Sequence, residues 1–154
     1  MRTLTLNHDY AVDLSSFLAK LADPGVWEKL GSEASAEHMD PDTEMTVRTP
    51  MPKSELPAAL ASRLPENTVL VEVYMIPGDV LGTEAEIRMT ARAAGVPVEI
   101  DAVLELREAE SVTKLTAHAE ISSSIPMFGA MIEQAVVPIL EKRLSDRLRR
   151  FESA

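Results

Sequence analysis

Residues 124–151 read SIPMFGAMIEQAVVPILEKRLSDRLRRF. Phe128, Ile132, Val136, Leu140, Leu144 and Leu148 recur every fourth residue, Met131, Ala135 and Ile139 widen the stripe, and Phe151 closes it. That spacing predicts one long amphipathic helix with an apolar face broad enough to cover a sheet. Pro138 falls inside it, removes an amide donor and crowds the carbonyl of Gln134, so a kink is expected there. From about Glu33 up to this helix the chain reads mainly as strands, and their apolar faces need a cover. The expected fold class is therefore α+β: a curved antiparallel sheet closed by a long C-terminal helix. A cavity between two such layers suits a small apolar molecule.

Working back from the helix, strands are expected over Glu33–Met39, Met45–Thr49, Thr68–Ile76, Glu84–Ala93, Val98–Arg107 and Val112–Ser123. A short helix over Ser54–Leu64 interrupts them, with Ser54 as its cap, Pro57 in its first turn and leucines at 56, 60 and 64. The last three strands test one another. A two-residue turn at Gly95-Val96, glycine first as a type II′ turn prefers, sets Ala91 opposite Ile100, Met89 opposite Ala102 and Ile87 opposite Leu104. The same register puts Arg92 opposite Glu99 on the other face. A turn centred on Ala109-Glu110 then pairs Leu104 with Leu115 and Ala102 with Ala117 inside, and Glu105 with Lys114 outside. The resulting inner face mixes Ala85, Ala91, Ala93, Ala102, Ala117 and Ala119 with Met75, Met89, Ile87, Ile100 and Leu104. Small residues either let the helix approach closely or leave room for a guest to which methionines adapt.

Ahead of the sheet, Thr3–Tyr10 alternates as an opening strand with Leu4, Leu6, His8 and Tyr10 on one face. Asp13 then caps a short helix burying Leu14, Phe17, Leu18 and Leu21. Asp23-Pro24 starts a second, carrying Val26, Trp27 and Leu30 and stopped by Gly31.

Length and composition fit a single domain over residues 1–154 that needs no cross-link. There is no cysteine, which rules out disulfides, zinc thiolates, iron–sulfur clusters and a thiol nucleophile. The start lacks the basic and apolar regions of a signal peptide, and no apolar run is long enough to span a bilayer, so the expected location is cytoplasmic. A net charge of −10 repels phosphate backbones and argues against nucleic-acid binding. Lys142, Arg143, Arg147, Arg149 and Arg150 beside the apolar stripe raise membrane docking. Cations favoured by a helix C-terminus are the simpler account, and the acidity of the rest of the chain argues against membrane contact.

The order of elements resembles the START-like (SRPBCC, helix-grip) superfamily over nearly the whole chain. It is similar more specifically to an uncharacterised bacterial family of unknown function within it. The local matches are the opening strand with His8, the helix break Asp23-Pro24-Gly25-Val26-Trp27, and Ile125-Pro126-Met127-Phe128-Gly129 entering the last helix with Ile132-Glu133. Ala130-Met131 and Pro138 depart from that pattern. The resemblance implies a cavity for a hydrophobic ligand, a lipid or a polycyclic compound, and no catalytic residue carries over from it.

The expected lining is Val71, Val73, Met75, Ile87, Met89, Ala102, Leu104, Ala117 and Ala119 from the sheet, faced by Phe128, Met131, Ile132 and Ala135 from the helix, with Trp27 near an entrance. His8, on the Leu4 and Leu6 face, is a candidate polar contact that either reaches the cavity or caps its edge. His8, His38 and His118 form no metal motif, and His118 is expected outside, opposite Asp101, so neither a metal nor a cofactor is expected. Tyr74 and Arg48 alternate away from the expected inner face. Ser122-Ser123-Ser124 lacks a nucleophile elbow, and Gly78 and Gly82 form no phosphate loop. No acid–base pair emerges for a cyclase-type enzyme. The alternative to a ligand binder is an interaction module with a packed core, whose partner is another protein or a second copy of this chain in a homo-oligomer.

Overall fold

A computed structural model describes residues 2–51, 54, 58–62, 67–80, 82–123 and 129–153. The elements are β1 (Arg2–Tyr10), α1 (Leu14–Leu21), α2 (Pro24–Lys29), β2 (Glu33–Met39), β3 (Asp42–Met51), α3 (Ala58–Ala61), β4 (Thr68–Ile76), β5 (Glu84–Ala93), β6 (Val98–Ala109), β7 (Val112–Ser123) and α4 (Gly129–Ser153). The strands form one curved sheet in the order β1-β7-β6-β5-β4-β3-β2, with every pairing antiparallel. β1 and β2 are the two edges, and α1 with α2 carries the chain from one to the other.

Local chemistry accounts for these helices. The Asp13 carboxylate accepts the Ser16 amide at 3.1 Å, capping α1, and that of Asp23 accepts the Gly25 amide at 2.9 Å, capping α2 with Pro24 in its first turn. The hydrogen bonds from Ser16 hold the Asp13 carboxyl below its usual pKa. α1 turns Leu14, Phe17, Leu18 and Leu21 inward, and α4 lies on β1 and β7 with Leu140 and Phe151 buried. Pro138 is inside α4 on an exposed position. Residues 124–128, where the sequence also predicts helix, lie outside the described residues, as do residues 55–57, 63 and 64 of the expected Ser54–Leu64 helix, of which Ala58–Ala61 forms α3.

The β5–β6 register agrees with expectation: Ala91 faces Ile100, Met89 faces Ala102 and Ile87 faces Leu104. The turn differs. The connection spans residues 94–97, the Val96 amide donates to the Ala93 carbonyl at 3.1 Å, and Gly95 takes the third turn position with φ 79°. A longer loop centred on the same point leaves the register unchanged.

The β6–β7 register is offset from expectation by two residues, with Leu104 opposite Ala117 and Ala102 opposite Ala119. The turn is Glu110-Ser111, both at positive φ (53° and 64°), a conformation ordinarily given to glycine or asparagine and so not announced by these side chains. An even offset keeps every side chain on its face, so the inner set survives. His118 points outward opposite Val103 rather than Asp101 and lies 3.5 Å from the Glu105 carboxylate.

β4 is the substantive correction. Glu72, Tyr74 and Ile76 point inward, facing Ala91 and Met89 of β5 and Val47 and Met45 of β3, whereas Val71, Val73 and Met75 lie on the outer face opposite Arg92, Thr90 and Arg88. The strand is apolar at nearly every position, so alternation could not orient it. The single charge, Glu72, reads as a solvent-facing residue unless a buried partner awaits it.

Candidate functional site

The partner is Arg147. Its Nη1 donates to both Glu72 carboxylate oxygens at 2.5 Å and to the Tyr74 hydroxyl at 3.3 Å, while the Tyr74 hydroxyl donates to Glu72 Oε2. The guanidinium also lies 5.5 Å from the centroid of Trp27, and its Nη2 donates to Thr49 Oγ1 at 3.4 Å. Glu72 is 1 % exposed, so the pair is a buried ion pair joining β4 to α4. Burial, the largest single influence, would lower the arginine's pKa, but Glu72 and Tyr74 together outweigh it and hold the guanidinium charged. Burial, reinforced by Glu72, pushes Tyr74 well above its ordinary value, which keeps the phenol a donor.

Two apolar spaces separate the inner face of the sheet from α4, set side by side along the helix. The smaller, about 40 Å³, lies under Leu144, Arg147, Leu148 and Phe151. Of the residues expected to line a cavity, Trp27, Met89, Ala102, Leu104, Ala117 and Ala119 meet here. Aromatic rings crowd this end: Trp27 sits edge-on to Phe151 at 4.7 Å and tilted against Tyr74 at 5.0 Å, with Tyr10 tilted against Phe17 at 4.5 Å. Trp27 is therefore not at an entrance. It is 1 % exposed, and its indole N–H donates to the Leu21 carbonyl at 2.9 Å, a bond that turns the ring into the core.

The larger space, about 70 Å³, lies under Val136, Ile139, Leu140 and Arg143. Its sheet side is Leu70, Ala91, Ala93, Val98 and Ile100, with Met51, Thr68, Arg92 and Val96 completing it. Among the described residues, no carboxylate and no imidazole lines it. Its described surface is predominantly apolar, which suits an apolar body. None of the expected lining positions whose side chains are described falls here, although alternation already places Ala91, Ala93 and Ile100 on the correct face.

The remaining expected positions lie elsewhere. Ile87 is fully buried on the inner face but borders neither space, and Ala135 is half-buried on α4 away from both. Val71, Val73 and Met75 are on the wrong face, as β4 requires. The side chains of Phe128, Met131 and Ile132 lie outside the described residues. His8 is on the inner face as expected, its ring 4.5 Å from Tyr10 and its Nε2 3.8 Å from the Glu152 carboxylate at the helix end, but it borders neither space. The network sequence reasoning missed, Glu72–Tyr74–Arg147, had one available signal: a lone carboxylate in the middle of an apolar strand.

Solved structures place this architecture. The crystal structure of TTHA0849 from Thermus thermophilus matches with TM-score 0.65 at 10% identity, covering 99% of this chain and 95% of that one. Ara h 8.0201 matches with TM-score 0.57 at 8% identity, over 99% and 95% of the two chains. A START superfamily protein from Mycobacterium smegmatis matches with TM-score 0.52 at 10% identity, over 96% and 97%. Likeness at such identities establishes the fold, which is the START-like helix grip. No curated protein matches the sequence significantly. Over residues 5–151 the sequence fits one family model, and the chain belongs to that family, described as "Protein of unknown function (DUF2505)".

Proposed function

We propose that this protein binds a small hydrophobic molecule, a lipid chain or a polycyclic compound, in the space between β4–β6 and the middle of α4. The observation that supports this reading is the apolar wall itself. Ala91 and Ala93 leave a gap under Val136 and Leu140 at a point where larger side chains would have filled the core to ordinary density. A gap of about 70 Å³ is small for such a guest. Its border includes Met51, an unbranched side chain that repacks readily, so a guest enlarges the space by displacing it. Affinity would come from apolar area removed from water, roughly 25 cal/mol per Å², less the cost of ordering the guest.

Native mass spectrometry of the protein purified from its own host, with and without Ala93→Leu, tests this. A stoichiometric apolar adduct that Ala93→Leu abolishes is the expected result. A wild-type protein free of adduct that also takes up nothing from a panel of fatty acids, alcohols and polycyclic compounds overturns it and favours the packed interaction module.

A further inference from the structure

The edge strand β2 lacks the usual guards against pairing with another chain. Its 7 residues pair with β3 in unbroken register, from Glu33 opposite Arg48 to Met39 opposite Asp42, so no bulge interrupts it, and it contains neither proline nor lysine. From Ser35 to Met39 every residue is exposed, and Met39, at 48%, is one of two exposed large apolar side chains among the described residues. The opposite edge, β1, has α4 packed against it. The turn fixes which backbone groups of β2 face out. Asp40-Pro41 is a two-residue connection, which makes the flanking Met39 and Asp42 a hydrogen-bonded pair, and the pattern alternates back along the strand. Ala34, Ala36 and His38 therefore turn their N–H and C=O groups to the open side.

We infer that β2 is the interface for a second copy of this chain, pairing antiparallel with its own counterpart about a two-fold axis at Ala36 and joining two seven-stranded sheets into one. The sequence of the strand selects this register. Ala36 is the midpoint of β2, so no other centre pairs the whole strand. It sets Ala36 opposite Ala36, Ala34 opposite His38, Ser35 opposite Glu37 and Glu33 opposite Met39 of the second copy. Centring on Ser35 would oppose Glu33 to Glu37, and centring on Glu37 would oppose that carboxylate to itself. In the full register the carboxylates of the two copies are no closer than diagonal. Ala34, Ala36 and His38 each then donate one backbone hydrogen bond across the seam and accept one. A seam of 7 residues a side is smaller than a standard interface, so the dimer forms at high protein concentration. No residue of β2 borders the apolar space under α4, so the inference stands apart from the ligand reading.

The test is analytical ultracentrifugation of the wild type and Ala36→Lys from micromolar to near-millimolar protein, at low and high salt. The wild type is expected to show a reversible monomer–dimer equilibrium that salt strengthens, because each copy carries a net charge of −10. Ala36→Lys, at an exposed position, sets two ammonium groups opposite each other and should weaken association at least about tenfold. The absence of native cysteine lets a single introduced one report the register. Ala36→Cys should oxidise to a covalent dimer, since the paired Cα atoms would lie about 5.5 Å apart, within disulfide reach. Ser35→Cys and Glu37→Cys should each stay monomeric alone and cross-link when mixed. A wild type that remains monomeric throughout, or a dimer that Ala36→Lys leaves intact, overturns the inference. Cross-linking of Ser35→Cys alone in place of Ala36→Cys overturns it as well, because it requires the register that opposes Glu33 to Glu37.

Discussion

One helix covers both halves of the inner sheet, and the two halves are built differently. Under Leu144–Phe151 aromatic rings narrow the space to about 40 Å³ and the Glu72–Arg147 pair locks it; under Val136–Arg143 the space is about 70 Å³, walled by Ala91, Ala93 and Val98 without aromatic rings among its described lining residues, and bordered by Arg92 and Arg143. The contrast teaches that a single apolar stripe can serve two purposes. One end of α4 is anchored by interactions that tolerate little rearrangement, and its middle lies over a region that can repack.

Removing the anchor should have the largest effect. Arg147→Met strands the Glu72 carboxylate in the core and is expected to cost about 3–5 kcal/mol in urea unfolding. Adding Glu72→Gln to that variant should recover a large part of the loss. A single variant within about 1 kcal/mol of wild type would mean that the two halves do not differ as described.

Phe151→Ala comes next, at about 3 kcal/mol by the same measurement, because it empties the edge-on contact with Trp27. A loss much smaller than that would show the end of α4 to be loosely held. Enlarging a small residue in each half sharpens the comparison further. Ala117→Leu, in the crowded half, should cost about 1–3 kcal/mol, whereas Ala93→Leu, bordering the larger gap, should stay within about 1 kcal/mol of wild type. Equal penalties would mean that the gap does not accept added volume.

The smallest effect at neutral pH is expected from Tyr10→Phe. Its hydroxyl is buried without a hydrogen-bond partner among the described residues, so the variant should lie within about 0.5 kcal/mol of wild type. At alkaline pH the two should diverge. Burial, reinforced by Glu152, raises Tyr10, and burial with Glu72 raises Tyr74, so the unfolded chain loses these protons first. Their contribution is intact below the ordinary value of 10.0 and declines as pH rises above it. Tyr10→Phe should make that decline shallower, and an identical alkaline slope would count against a buried, protonated Tyr10.

Much of the fold was legible because alternation and caps constrain each other. Asp13 and Asp23 start the first two helices where expected, and the β5–β6 hairpin has the expected register. The β6–β7 offset was illegible because neither Glu110 nor Ser111 advertises positive φ, although an even slip left the inner face intact. Another feature hidden in the sequence is a close approach. A Cβ on Gly78 would lie 1.8 Å from the Pro41 carbonyl oxygen, so the β2–β3 turn and the chain leaving β4 pack at glycine distance. The site was less legible than the fold. β4 offers apolar residues to both faces, and the orientation is settled by an arginine 75 positions away in sequence. Once Glu72 is turned inward, Val71, Val73 and Met75 must leave the lining. The larger gap then falls beside Ala91 and Ala93 instead of beside the expected Met89 and Ala102.

Trp27 is the chain's sole tryptophan, and it touches Tyr74, Phe151 and Arg147 at the anchored end of α4. Its emission is therefore a built-in optical gauge of helix docking. A guest that merely fills the gap under Val136 leaves that signal almost still, whereas one that lifts the helix off the sheet shifts it to the red, so one fluorescence trace separates occupancy from opening.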